Sequence, residues 1–172
     1  PVNYEVNAIV ATNSTVYAGG NFAGVGSQDR WNLAAFNASN GALLNWAPRA
    51  TGGYVWAMAI NPEGTKIAVG GSFTALNSSS NPGYGLGMVD AGTGANLPMA
   101  VNQYVRNGTS DGAITTLTTD GTYLYGGGYT YGKTGGTWEG MFGASWDGGA
   151  VRFLNDCHGD TYSMHVRENV LY

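Results

Sequence analysis

Short runs in which apolar side chains alternate with polar or small ones follow one another down the chain, interrupted by clusters of Gly, Asn, Asp and Ser. Runs of that length and period, rich in Val, Ile, Thr, Tyr and Phe, predict β-strands. At the start of the chain they fall at about 6–11, 15–21, 31–37 and 42–46. The breaks after the first run of each series are short: Asn13-Ser14, then Asn61-Pro62-Glu63-Gly64, then Asp120-Gly121. Asn-rich and Asp-Gly sequences tolerate the positive φ that tight hairpin turns need, so successive strands are expected to pair antiparallel.

The runs also recur in order. VYAGGNF at Val16 returns as IAVGGSF at Ile67 and as LYGGGYTY at Leu124, at spacings of 51 and 57 residues. LAAFNASNG at Leu33 returns as GMVDAGTG at Gly87 and ASWDGG at Ala144, with Asn37, Asp90 and Asp147 as matching turn residues. VNAIVA at Val6 returns as VWAMAI at Val55, ITTLTT at Ile114 and YSMHV at Tyr162. Three motifs that keep one order and nearly one period define an internal repeat. Glycine pairs at 19/20, 70/71 and 127/128 sit inside a strand, where glycine normally weakens a sheet. Their recurrence predicts a crowded position that only a missing side chain allows, where one sheet touches the next.

Repeated four-stranded units of this length are the signature of β-propeller blades. A β-sandwich does not repeat internally at this period, and a solenoid has a shorter one. The expectation is an all-β, single partial β-propeller over residues 1–172, with four-stranded antiparallel blades at 2–53, 54–110 and 111–159 and a fourth starting at 160–172. Val170-Leu171-Tyr172 align with Tyr123-Leu124-Tyr125, short of the next glycine pair. Three blades and a fraction do not close a ring, so the remaining blades of a longer propeller, or a second chain, are the expected partners.

Composition narrows the function classes. Only 10% of residues are charged while Gly reaches 29, which excludes a helical bundle with solvated charged faces. A hydrophobic share of 43% with a net charge of -4 excludes disorder. Arginines and lysines are few and scattered, so nucleic acid is not an expected partner, and no apolar run approaches the roughly 20 residues of a membrane helix. The Lys-poor, Tyr- and Asn-rich make-up points to a secreted or cell-surface protein, and Pro1 to a processed chain or a fragment. Cys157 is the sole cysteine, hence a free thiol, a buried apolar residue, or half of a bridge to something outside the chain. Sequons stand at Asn13, Asn37, Asn77 and Asn107, little more than chance supplies in so Asn-, Ser- and Thr-rich a chain.

VYAGGNFAGVG at Val16, followed by RWNLAAFNASNGALLNWAP at Arg30, resembles secreted bacterial repeat proteins, common in actinobacteria, that are taken to be β-propellers. NDCHGDTY at Asn155 is similar to a further motif of that group. The resemblance runs over nearly the whole chain and implies the architecture and a disulfide from Cys157 to the next blade, but no activity. A weaker similarity links Ala35 to Trp46 with the docking motif of quinoprotein propellers, with Asn37 in place of the acid and Asn40 in place of the Thr. It implies no cofactor-binding residue.

Loop length provides an argument that needs no family. The loops between second and third strands (23–30, 74–84, 132–137) and those between units (47–53, 100–111, 155–160) are long and open on one face. Loops on a rigid scaffold carry binding residues, so that face is the candidate site. Its candidate ligand-binding residues are Arg30, Tyr84, Arg106, Trp138, His158 and Asp160. Asp156, Cys157, His158 and Asp160 contain metal-ligating types, but consecutive residues rarely aim at one point. A loop fixed by turn hydrogen bonds and a disulfide is preferred there, and no metal or other cofactor is assigned. No catalytic motif appears. Trp31, Trp56, Trp138 and Trp146 are available to stack on sugars, although tryptophans in such positions more often fill space between blades. The expected function is a non-catalytic binding module whose ligand is a glycan or a surface protein. The alternative is part of a propeller enzyme, a glycoside hydrolase or a quinoprotein-like oxidoreductase.

Overall fold

Each hairpin between the first and second strands of a unit is closed by a side-chain oxygen that accepts the free N–H groups of its turn. Thr12 Oγ1 accepts from Ser14 and Thr15, Asn61 Oδ1 from Thr65 and Lys66, and Asp120 Oδ1 from Thr122 and Tyr123. Short polar side chains do this because they reach backbone two to five residues on. In the computed structural model, which describes residues 1–131, 136, 138–156, 159–168 and 170–172, these hairpins nucleate successive sheets.

In chain order the first unit supplies β1 (Glu5–Ala11), β2 (Thr15–Asn21), a short ribbon of β3 (Gly24–Val25) with β4 (Gln28–Asp29), and β5 (Leu33–Asn37). The second supplies β6 (Ala50–Thr51), β7 (Val55–Ile60), β8 (Lys66–Gly71), β9 (Ala75–Leu76), β10 (Leu86–Asp90) and β11 (Asn96–Leu97). The third supplies β12 (Gly112–Thr119), β13 (Tyr123–Thr130), β14 (Gly140–Ser145) and β15 (Val151–Asp156), after which β16 (Val166–Arg167) pairs with β17 (Val170–Leu171). The sheets run β1-β2-β5, β7-β8-β10-β11 and β12-β13-β14-β15, every pairing antiparallel. The protein is all-β: no α-helix occurs among the described residues, and the one helical turn is a 3-10 turn at Ala100–Gln103. No helix of the described residues is long and apolar enough to cross a membrane. The described sheets do not close into a ring.

The core lies between sheets. Tyr17 and Leu33 of the first meet Val55, Met58 and Val69 of the second. Leu86 and Met88 of the second meet Ile114, Leu124 and Phe142 of the third. Each fully buried aliphatic or aromatic side chain contributes about 1.5–3 kcal/mol relative to exposure. The glycine pairs make this packing possible, and the two members act differently. A Cβ on Gly70 would lie 2.8 Å from Ile114 Cγ2, so this glycine is the hollow into which the next sheet fits; Gly19 and Gly127 do the same for Val55 and Thr161. A Cβ on Gly71 would instead strike Tyr54 O and Val55 of its own sheet, as would Gly20 on Glu5 O and Gly128 on Ala113 O. The sheet-to-sheet expectation therefore holds for the first glycine of each pair and not the second.

The second glycine is required by a β-bulge. Registers slip between Val6 and Ala8, Val55 and Ala57, and Ile114 and Thr116, leaving Asn7, Trp56 and Thr115 as the extra residues. A bulge bends its strand and brings backbone against the partner, which then has no room for a side chain. Because Thr161 fills the hollow that Val55 and Ile114 fill elsewhere, Tyr162 is the counterpart of Trp56, and the sequence alignment at Tyr162 shifts by one residue.

Two further expectations change. Asn37 and Asp90 pair with the first residues of β2 and β8, and the residue at the same register in the third sheet is Ser145 rather than Asp147. Asn37 and Asp90 both accept turn N–H groups on Oδ1, and Ser145 accepts the N–H of Ala150 on its hydroxyl. The strand expected at 42–46 is reduced to one bridge, Phe36 with Leu43. Arg30 donates to Leu44 O at 2.9 Å, and Trp46 turns inward to meet the Tyr17 ring edge-on at 5.0 Å and donate to Asp90 O. Burial of the indole against the second sheet pulls the chain off the edge of the first.

Candidate functional site

The starts of β7 and β12 and the ends of β8 and β13 lie at one end of the sheets, together with the long loops. A cleft of about 390 Å³ opens there. Gly52 and Gly53 come to it from the loop between the first and second units, and Tyr54 and Trp56 from the start and bulge of β7. Ser72 follows β8, Thr109 and Ser110 precede β12, and Tyr129 is the last residue but one of β13. The lining is aromatic rings, hydroxyls and backbone. Tyr54 and Trp56 are exposed, at 44% and 43%, although strands of this pattern usually bury their large apolar side chains.

Tyr129 continues the cleft into a cluster of phenols. Its ring centroid lies 5.0 Å from that of Tyr131 and 6.0 Å from that of Tyr162. Both outer hydroxyls donate to Asp160 Oδ2, Tyr162 at 2.7 Å and Tyr131 at 3.1 Å. The hydrogen bond with Tyr131, then the one with Asp160, pushes the Tyr162 hydroxyl above the ordinary phenol range, because each must be surrendered or reversed on ionisation. Burial, followed by the neighbouring Tyr131, raises Tyr129. Both phenols are protonated at physiological pH, as an unperturbed phenol already is.

The candidates taken from the sequence are not brought together. Arg30 is buried and donates to Asp29 O at 2.7 Å and Leu44 O, so its guanidinium holds backbone. Trp138 lies in the core, edge-on to Phe142 at 5.8 Å. Arg106 stacks 5.1 Å above Tyr84 and donates to Ser80 O, tying two long loops to each other outside the cleft. Asp160 is not a lining residue, but it bonds Tyr131 and Tyr162, whose rings lie against the lining residue Tyr129. His158 and Cys157 lie outside the described residues, as does most of the loop 132–137. Asp156 accepts from the Glu139 N–H at 3.3 Å.

Sequence reasoning missed the residues that hold this face in shape. Asn32 is buried at a positive φ, accepts from Phe22 N–H, and donates to Ala50 O and Gly53 O, which ties down both ends of the segment that brings Gly52 and Gly53 to the cleft. Asn102 accepts from Gly83 N–H and donates to Tyr84 O and Val105 O. Asn107, also fully buried, donates to Tyr129 O and Trp138 O. Buried amides placed this way satisfy loop backbone that has no ladder partner. They also sort the sequons: Asn107 and Asn77 use their amide hydrogens internally, whereas Asn13 is exposed on a hairpin turn at the other end of the sheets.

Compared with known proteins, the chain matches no family model and no curated protein.

Proposed function

We propose that this chain is a non-catalytic ligand-binding module, built as part of a β-propeller of the secreted or cell-surface kind, and that its ligand sits at the long-loop face. The observation that carries the reading is the cleft at the start of β7, where Tyr54 and Trp56 stay exposed on a frame whose loops are pinned by buried asparagines. Rigid, pre-shaped aromatic surface lowers the entropic cost of binding. Its lining offers aromatic rings, hydroxyls and backbone amides, a set suited to holding a polar ligand. The propeller reading is supported by sheets that follow one another in chain order, with β7 between β1 and β12. It is supported too by Val6 and Ile9 on β1, which occupy the positions of Val55 and Met58 yet are exposed, so that a further sheet of the same kind would cover them.

The test uses single cysteines introduced in a Cys157→Ser background at Ser110, beside the cleft, and at Asn13, at the opposite end of the sheets. Each is coupled to a bulky polymer, and retention is measured on a panel of immobilised polysaccharides and cell-surface proteins. Retention blocked from position 110 and preserved from position 13 is the expected result. The reverse pattern removes this face from consideration, and release of shortened polysaccharide would replace the binding reading with the glycosidase one.

A further inference from the structure

In β1, β7 and β12 the bulge residue is the one position that the ladder does not use, and these strands fill it in two ways. Asn7 donates through Nδ2 to Val55 O at 2.9 Å, and Thr115 donates through its hydroxyl to Thr161 O. Val55 and Thr161 are counterparts, so in both cases a small polar side chain ties its unit to the start of the next. The second unit carries a ring at its bulge, Trp56, and Tyr162 follows Thr161 at the corresponding place after the third sheet. Trp56 makes no hydrogen bond to a described residue and lines the cleft, and Tyr162 is 61% exposed. Trp56, with the third unit beside it, does not form the tie that Asn7 and Thr115 form. Core packing does not explain Trp56, which faces solvent in the cleft; Tyr162, also exposed, is held beside it by Tyr129 and Asp160.

Between these rings lies Tyr129, which shares the cleft with Trp56 and stacks near Tyr162. Beside them stand the hydroxyls of Ser72, Thr109 and Ser110. Flat apolar surface bordered by neutral donors and acceptors matches a sugar, whose ring presents C–H faces and a hydroxylated rim. No Lys or Arg is among the described lining residues, so a phosphate or sulfate would find nothing to neutralise it, and Asp160 repels anions at one end. With the whole of β12 between Trp56 and Tyr162, a single sugar ring does not reach both.

Resting on the binding reading above, we propose that the ligand is an extended, uncharged glycan chain that stacks on Trp56 and Tyr162 and runs past Tyr129. Asp160 acts as a positioning residue that holds the hydroxyls of Tyr162 and Tyr131. The shared carboxylate fixes both rings before the ligand arrives.

The intact chain is applied to an array of neutral and acidic glycans, and titrated calorimetrically with a length series of the neutral glycan retained best. Affinity is expected to rise roughly tenfold from the monosaccharide to the tetrasaccharide and to fall roughly tenfold in Trp56→Ala, with partial recovery in Trp56→Phe. Tyr162→Ala flattens the length series, while Tyr162→Phe, which keeps the ring, retains most of it. Asp160→Asn, which keeps an acceptor, binds better than Asp160→Ala. Thermal unfolding of every variant within a few degrees of wild type shows that the losses are local. Preference for acidic glycans, a flat length series, or binding untouched by Trp56→Ala overturns the proposal. A panel protein retained through Trp56 with no neutral glycan retained overturns the glycan and leaves the binding face standing; loss of both overturns the face as well.

Discussion

β1 and β7 have the same place in their units, the same bulge and closely similar sequences, VNAIVA and VWAMAI, yet opposite surroundings. Met58 is buried among the second strand and core of the first sheet, while its counterpart Ile9 is 64% exposed. The strand's own pattern does not decide burial; a neighbouring sheet with a glycine at the right register does. A residue's energetic weight therefore belongs to the joint between units.

The largest expected effect tests what the two strands share. Gly71→Ala and Gly20→Ala place a Cβ against the bulge backbone of the same sheet, so both should cost about 3 kcal/mol or more in urea unfolding, alike at covered and uncovered strands. A mild effect at either would show that the bulge relaxes. Next comes the contrast itself: Met58→Ala should lose about 2–4 kcal/mol and Ile9→Ala no more than about 0.5 kcal/mol. If Ile9→Ala proves as costly as Met58→Ala and the cost grows with protein concentration, β1 is covered in solution by another copy, and the contrast disappears.

A smaller effect separates the bulge residues. Asn7→Ala removes the tie to Val55 O and should destabilise by about 1 kcal/mol, whereas Trp56→Ala should leave the unfolding midpoint nearly unchanged. The smallest effect concerns pH. The backbone N–H of Thr93, then its hydroxyl, holds the Asp90 carboxyl below the usual range. At Asp120 burial raises the pKa, but the N–H groups of Tyr123 and Thr122 and the Tyr125 hydroxyl outweigh it and the net direction is down. With the folded pKa below the unfolded one, their stabilisation is complete above the ordinary carboxylate range of about 4 and is lost as pH falls through the depressed values. Asn37 has the same turn role in the first unit without titrating. Asp90→Asn should therefore give up the charge-assisted part of the stability at neutral pH and with it part of the acid sensitivity, read as a flatter unfolding midpoint between pH 3 and 7.

The strands, the hairpin turns and the glycine pairs were legible because the repeat displays them three times over. Reading the site was harder, for physical reasons. Trp56 looks like core in VWAMAI because alternation assumes an unbroken ladder, and the bulge shifts its phase. Arg30 and Trp138 look available because they stand on loops, but loop carbonyls need donors and the core needs rings, and these residues serve those needs. The same demand hides Asn32, Asn102 and Asn107, since an amide in a polar loop gives no sign that it will be buried. Asp160 could be picked from the sequence as polar, but its tyrosine partners, 29 residues before it and 2 after, meet it only in three dimensions.

The paired roles of hollow and knob have a consequence for descent. Each of the first three units carries a glycine hollow on its second strand, and the unit after it supplies the side chain that fills the hollow. A gene segment copied in tandem would thus encode two surfaces that already match, with no compensating substitution. Arrays of this kind can lengthen or shorten by whole units while each joint stays intact, and the bulge position, free of the ladder, is left for each copy to diversify.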